Sequence, residues 1–132
     1  MEIEKTEKIS VNMNIGTVSQ IDLLVDQGFY SNRSDFINQA VRESLNQKQG
    51  RIQEEQDKHD QLNFIWFLGI CGLDAQELLK IKELNNTKII KGYGLLYIDG
   101  SLDDLVLETI SEIKVKGKVV CSERIKKHYG IQ

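Results

Sequence analysis

A short alternating segment near the start of the chain limits its possible folds more than any other pattern. Ile9, Val11 and Met13 alternate strictly with polar residues between residues 8 and 14. A period of two is typical of a strand with one buried and one exposed face. No hairpin partner follows, and a lone strand leaves its backbone groups unpaired. Taken alone, the alternation also fits an edge strand of a larger sheet.

Two helices are predicted directly after this segment. Asn14 is the expected N-cap of the first helix, and residues 15–29 contain its apolar stripe. Gly28 is expected to end this helix. The second helix is expected to begin at Asn32, where Asp35 follows three residues later in a near capping box. Its apolar residues share one face: Phe36, Ile37, Ala40, Val41 and Leu45.

A strand without a partner, followed by two amphipathic helices, predicts an intertwined homodimer. Two copies of the strand would pair antiparallel across a two-fold axis, with their apolar residues facing a four-helix core. The polar residues Lys8, Ser10 and Asn12 would then form the outer face of a two-stranded ribbon. Such a ribbon fits the major groove of DNA, where polar side chains can meet base edges.

These residues resemble the ribbon-helix-helix DNA-binding domain. The resemblance covers residues 7–47 and is most specific over residues 28–37, GFYSNRSDFI. This is the fold class of the methionine and Arc repressors and of many plasmid-copy, nickel-responsive and antitoxin regulators. The resemblance implies that Lys8, Ser10 and Asn12 contact DNA bases.

The resemblance also implies a phosphate contact at the start of the second helix. It involves four consecutive residues, Ser31, Asn32, Arg33 and Ser34. Free backbone N–H groups and the positive end of a helix attract anions, which supports this assignment independently. For Arg33, a solvated surface arginine near a helix start is the alternative. Asn14 is expected to act as a cap and not as a DNA contact.

The charge balance bears on how such a protein would bind DNA. The chain carries 17 Lys and Arg against 20 Asp and Glu, a formal net charge of −3. The family often has basic residues in or before the strand, whereas Glu4 and Glu7 stand here. We therefore expect weak non-specific binding and a shallow dependence of affinity on salt.

The remaining chain is expected to form a linker and a second domain. The ribbon-helix-helix domain is assigned to residues 1–47, and residues 48–62 are a polar linker or an extension of the second helix loosened at Gly50. Residues 63–132 are expected to form a small α/β domain for oligomerisation or effector binding. The expected fold class is therefore α+β. His59 lies in the polar stretch, which is expected to be solvated, and has no second metal ligand nearby.

Several patterns describe the second domain. Residues 63–73 form the densest apolar run, which predicts buried packing, and residues 74–84 are expected to be helical. The segments 96–100 and 113–117 share an alternating pattern that ends in glycine, with a helix capped by Ser101 between them. A helical crossover predicts that these two strands are parallel. Two copies are too few to claim a solenoid. A C-terminal helix with a basic end is expected over residues 122–129.

The sequence contains no recognisable catalytic constellation. Residues 92–94 do not form a phosphate-binding glycine fingerprint, and the adjacent Asp103 and Asp104 point to different helix faces. Potential metal ligands lack ligand spacing: His59, His128, Cys71 and Cys121. We expect no enzyme, no metal and no cofactor.

The expected function is sequence-specific transcriptional regulation, with repression as its effect. The alternative is an antitoxin-type autoregulator whose C-terminal part binds a protein partner. The expected partners are double-stranded DNA and a second copy of the chain, with a tetramer through residues 63–132 and an unidentified effector left open. The short apolar stretch 64–68, the polar N-terminus and the presence of only two cysteines favour a cytoplasmic protein without a membrane segment.

Overall fold

The computed structural model describes residues 5–60 and 63–132, so residues 1–4 of the predicted DNA-binding domain and residues 61–62 of the predicted linker lie outside it. The described residues form a mixed helix-and-strand fold with a three-stranded parallel sheet. The chain divides into two compact units between Ile52 and Gln53, and each unit is described by itself. None of the described helices is both long and apolar enough to cross a membrane.

The first unit contains the two helices expected after the alternating segment. Helix α1 spans Ile15–Asp26 and helix α2 spans Arg33–Gln47. Residues 6–14 form neither helix nor strand in the single chain. A strand is defined by its pairing, so the ribbon at residues 8–14 stays a prediction for the dimer.

The polar stretch is helical but is not broken where the sequence suggested. Helix α3 spans Gln49–Asp60, so Gly50 lies in its first turn. The break between α2 and α3 is at Lys48, whose N–H bonds back to the carbonyl of Leu45 at 3.0 Å. The N–H of Arg51 then bonds to the carbonyl of Lys48, also at 3.0 Å, which starts the next helix. The expected loosening at Gly50 is therefore wrong.

The second unit alternates strands and helices. Its strands run in the order β1-β2-β3, and both neighbouring pairs are parallel. The parallel pairing of β2 with β3 was predicted from the helical crossover between them. The elements are β1 (Phe64–Gly72), α4 (Ala75–Glu83), β2 (Lys88–Tyr97), α5 (Asp103–Thr109), β3 (Ile110–Val120) and α6 (Glu123–Tyr129).

The core of this unit lies between the sheet and the helices. Ile90 and Leu96 of β2 pack in one cluster with Leu78 of α4, Val106 of α5 and Ile125 of α6, and all five side chains are completely buried. Burial of this much aliphatic surface supplies the main driving force for folding. The second unit can therefore hold its helices on the sheet without a partner.

Three glycines lie side by side across the sheet. Gly69, Gly94 and Gly117 pair in register and have φ angles of 107°, 121° and 143°. A Cβ atom on Gly94 would overlap the carbonyl oxygen of Gly69, and one on Gly117 would overlap that of Gly94. The positive φ and the close approach both require glycine here.

The structure places the two glycines of the repeated pattern differently and corrects one predicted cap. The repeated pattern matched Gly100 with Gly117, whereas the sheet pairs Gly94 with Gly117. Gly100 instead begins a short 3₁₀ turn, and the carboxylate of Asp99 accepts the N–H of Ser101 at 3.0 Å. Ser101 is therefore not the cap, because Asp99 already accepts the first free N–H of the turn.

The apolar run in β1 is only partly buried. Phe67 faces the core, whereas Leu68 and Ile70 are 55% and 47% exposed. This strand is at the edge of a sheet whose core lies on one face, so uniform burial was the wrong expectation.

His59 is buried although it lies in a stretch that was expected to be solvated. Its ring stacks on Trp66, with 6.0 Å between the ring centroids, and meets Phe64 edge-on at 5.1 Å. The polar stretch is thus not solvated at this residue.

Candidate nucleic-acid interface

The alternating segment is exposed on both of its sides in the single chain. Lys8, Ser10 and Asn12 are exposed, as the predicted base contacts would have to be. Ile9 and Val11, on the predicted core side, are 77% and 73% exposed. Large aliphatic side chains gain free energy when a partner surface covers them. The segment therefore has an apolar side that is available for pairing and a polar side that is available for a ligand.

Asn14 joins this segment to the first helix. Its side-chain oxygen accepts the N–H of Gly16 at 2.7 Å, which makes it the N-cap of α1. An N-cap satisfies one of the helix's free donors and determines where the helix begins. The expectation that Asn14 acts as a cap is confirmed.

The turn between α1 and α2 is built from reciprocal hydrogen bonds. The side chain of Asn32 accepts the N–H of Asp35 at 2.8 Å, and the carboxylate of Asp35 accepts the N–H of Ser31 at 2.9 Å. The bond from Ser31, followed by one from Gln39, lowers the pKa of Asp35 below its usual value. Gly28 enters the turn with a φ of 85°, and Tyr30 packs edge-on against Phe36.

These bonds decide which backbone donors remain for an anion. The N–H of Ser31 is already bonded to Asp35, so it is not free for a phosphate. Arg33 and Ser34 are the first two residues of α2, and N–H groups at those positions have no partner within the helix. The four residues predicted to contact phosphate therefore lie at one helix end. The N–H groups of Arg33 and Ser34 have no partner within the helix, whereas the N–H group of Ser31 already donates to Asp35.

Arg33 has a protein partner that the sequence did not indicate. Its Nε and Nη2 atoms donate to Oδ1 and Oδ2 of Asp22, both at 2.8 Å. This bidentate bond lowers the pKa of Asp22 and raises the pKa of Arg33. Asp22 lies on α1, eleven residues earlier, so no helical spacing or motif connects the two residues. The guanidinium group is held at the helix start, with its charge balanced by the carboxylate.

The His, Cys, Asp and Glu side chains of the second unit were candidates for a metal site. Among the described residues, no group of three or more His, Cys, Asp or Glu side chains is arranged to hold a metal ion. Cys71 and Cys121 are free, and burial raises the pKa of both thiols. A raised pKa keeps a cysteine in the less reactive thiol form.

Comparison with known proteins gives one family. The sequence model of the Ribbon-Helix-Helix transcriptional regulator family matches residues 4–126. The match extends over nearly the whole chain, so the restriction of the resemblance to the N-terminal third was too narrow. The first and the second unit both lie largely within it.

One relative matches a short part of the chain. An uncharacterized protein from Methanocaldococcus jannaschii is 44% identical over 39 residues, which cover 30% of this chain and 40% of that protein. This chain therefore spans well under two thirds of that relative's length. No solved structure matches the chain.

Proposed function

We propose that this chain, which belongs to the Ribbon-Helix-Helix transcriptional regulator family, is a repressor that binds a specific DNA sequence as a homodimer. Two copies pair their residues 8–14 into an antiparallel ribbon, and the ribbon enters the major groove. Lys8, Ser10 and Asn12 project from its outer face toward the base edges.

The observation that carries the proposal is the missing core of the first unit. Among the described residues up to Ile52, Ile21 alone is buried. Leu23, Val41 and Leu45 are all half-exposed on α1 and α2. A domain this small needs a partner surface to bury its apolar side chains. A second copy supplies that surface and pairs the strand in the same step.

The start of α2 supplies the phosphate contact in this proposal. The free N–H groups of Arg33 and Ser34 point along the helix axis toward its positive end, where a phosphate oxygen is stabilised. Asn32 and Ser31 act indirectly, because their polar groups already hold the turn in shape. The hydroxyl of Ser34 and the remaining donors of Arg33 complete the contact.

The antitoxin alternative has less support. An antitoxin tail that captures its partner is usually disordered when free, whereas the helices and sheet of the second unit pack a closed cluster of aliphatic side chains. A separate partner is not needed to complete that core. The second unit therefore favours a regulator with a folded accessory domain.

DNA-affinity sequencing with the purified full-length protein tests the proposal. We expect enrichment of a two-fold symmetric site whose half-site spacing reports how many dimers bind together. A Ser10→Ala/Asn12→Ala variant should lose this enrichment while remaining a dimer. A protein that enriches no sequence under conditions where it is folded and dimeric would contradict the proposal.

A further inference from the structure

Helices α4, α5 and α6 pack on one face of the second unit's sheet, and on the opposite face His59 packs against Phe64 and Trp66 of β1. Alternate residues of β2 and β3, such as Ile90, Leu96 and Val119, belong to the core cluster. The residues between them lie on the opposite face, because side chains alternate along a strand. On β2 these include Lys91 and Tyr93, and on β3 they include Lys114 and Lys116.

These four residues form a basic groove, which we call the lysine groove. Lys91 pairs in register with Lys114, and Tyr93 pairs with Lys116. Together with the intervening backbone, the four residues line a shallow cavity of about 280 Å³. Tyr93 is 47% exposed, so part of its side chain is accessible to a ligand.

The charge pattern of the groove is costly for the fold. Like charges directly opposite each other on neighbouring strands destabilise a sheet. Glu112 offsets only part of this charge, since its carboxylate lies 3.7 Å from the ammonium group of Lys114. Neither Lys91 nor Lys116 takes part in an ion pair within the described residues. A bound anion would relieve the repulsion among the three lysines.

The same pattern argues against a second copy as the occupant. Two identical faces that meet across a two-fold axis would bring two sets of three lysines together. Like-charge contacts across an interface cost free energy and suppress that pairing. The groove therefore fits a negatively charged partner and not the same groove of a second copy.

We propose that the lysine groove binds single-stranded nucleic acid. Lys114 and Lys116 are two residues apart on one strand, which separates them by about 6.6 Å along β3. This spacing is comparable with that of successive phosphates in an extended strand. The ring of Tyr93 lies beside Lys116, two residues along β2 from Lys91, and offers a surface on which a base can stack. Aromatic rings within a positively charged groove are the usual combination in proteins that bind single strands.

The test uses the full-length chain carrying Ser10→Ala/Asn12→Ala, so that the ribbon no longer contributes specific binding. Labelled 20-nucleotide dT and rU strands are titrated by fluorescence anisotropy at several salt concentrations. We expect Lys114→Gln/Lys116→Gln to weaken binding at least tenfold at low salt. The slope of log affinity against log salt should fall by about 1.4, because each phosphate contact on a single strand contributes about 0.7.

Two further variants separate stacking and charge from general effects. Tyr93→Leu keeps the charge and removes the ring, so we expect roughly tenfold weaker binding with the same salt slope. The matched control is Lys80→Gln/Lys127→Gln, which removes two lysines from helices α4 and α6 and should leave binding unchanged. Circular dichroism verifies that each variant is folded.

Specific outcomes would overturn the proposal. These are the absence of single-strand binding, equal weakening by the control variant, and equal competition by poly-glutamate, which would indicate an acidic protein partner. Equal competition by duplex DNA would mean that the groove binds double-stranded DNA and does not select single strands. The ribbon variant should lose operator binding and keep single-strand binding. These two readouts distinguish failure of the proposed single-strand binding from failure of the proposed repressor function.

Discussion

Arg33 and Asp22 tie the start of the second helix to the middle of the first through two hydrogen bonds of 2.8 Å. Both side chains are largely exposed, at 62% and 44%. Exposed ion pairs contribute little to stability, so we expect this pair to matter for the orientation and the charge of the Arg33 guanidinium group. Asp22 fixes its orientation and reduces the positive potential that a DNA phosphate would meet.

The first prediction concerns this pair. We expect Asp22→Asn to raise affinity for operator DNA severalfold at low salt, because the substitution removes a negative charge and releases donors of Arg33. The salt slope should steepen by up to about 0.9, the contribution of one phosphate contact on duplex DNA. Electrophoretic mobility shifts at several salt concentrations measure both quantities. Asp26→Asn, a neighbouring carboxylate on α1, is the control. Lower affinity in Asp22→Asn would mean that Asp22 acts by positioning Arg33.

The second prediction separates the two sides of the ribbon. Val11→Asp places a charge in the proposed dimer core and should give a monomer that binds no DNA, because an unpaired buried charge is strongly unfavourable. Asn12→Asp introduces the same charge one residue later, on the outer side, and should keep the dimer while abolishing DNA binding. Sedimentation velocity reports the oligomeric state. Dimers of equal stability in the two variants would exclude the proposed strand pairing.

The third prediction concerns the glycines of the sheet. Gly94→Ala should destabilise the second unit by more than about 1 kcal/mol, since a positive φ alone makes alanine unfavourable and the neighbouring carbonyl leaves no room for Cβ. The single tryptophan of the chain, Trp66, lies in β1 and reports urea unfolding of this unit by fluorescence. Gly100→Ala is the matched control, because a Cβ atom added there would meet nothing within 4 Å. Equal unfolding midpoints for the two variants would disprove the constraint.

The fourth prediction is a loss of stability in acid. The pKa of Asp35 is below its usual value of 3.8 because the N–H of Ser31 donates to the carboxylate. A carboxyl group whose pKa is lowered in the folded state stabilises the fold above its unfolded pKa, and this contribution disappears as the pH falls through the folded pKa. The free energy of unfolding should therefore decrease as the pH is lowered below about 4. Asp35→Asn should lessen that decrease. Urea titrations monitored by far-ultraviolet circular dichroism provide the measurement.

The local elements were the most predictable part of the fold. Asn14 and Asn32 cap α1 and α2 as expected, because capping depends on a side chain and a backbone N–H only two or three residues away. The helix after residue 74 and the parallel pairing of the later strands followed from equally local patterns and from the handedness of helical crossovers. The four residues predicted to contact phosphate lie together at one helix end, since they are consecutive in the chain, and their contact with DNA stays a prediction.

The features that the sequence did not reveal depend on contacts between residues that are far apart along the chain. The bond from Arg33 to Asp22 joins two helices, and the burial of His59 depends on aromatic residues of β1. Sequence spacing does not encode these distances, so Arg33 was assigned to phosphate, with a solvated surface arginine as the alternative, and the polar stretch around His59 was assigned to solvent. The pairing of Gly94 with Gly117 was missed for a related reason, since a short repeated pattern cannot fix register when the intervening helix has unknown length.

Helices α1 and α2, their caps and the resemblance to a family of transcriptional regulators can be read from the amino-acid sequence, because periodicity, capping chemistry and family patterns are local along the chain. The folded structure was needed to show that the first unit lacks a core of its own, that Asp22 holds Arg33, and that three lysines line one cavity on the sheet face opposite the core. Those properties arise when strands and helices that are far apart in sequence pack together. Burial, charge balance and register are then set by neighbours that no local pattern can name.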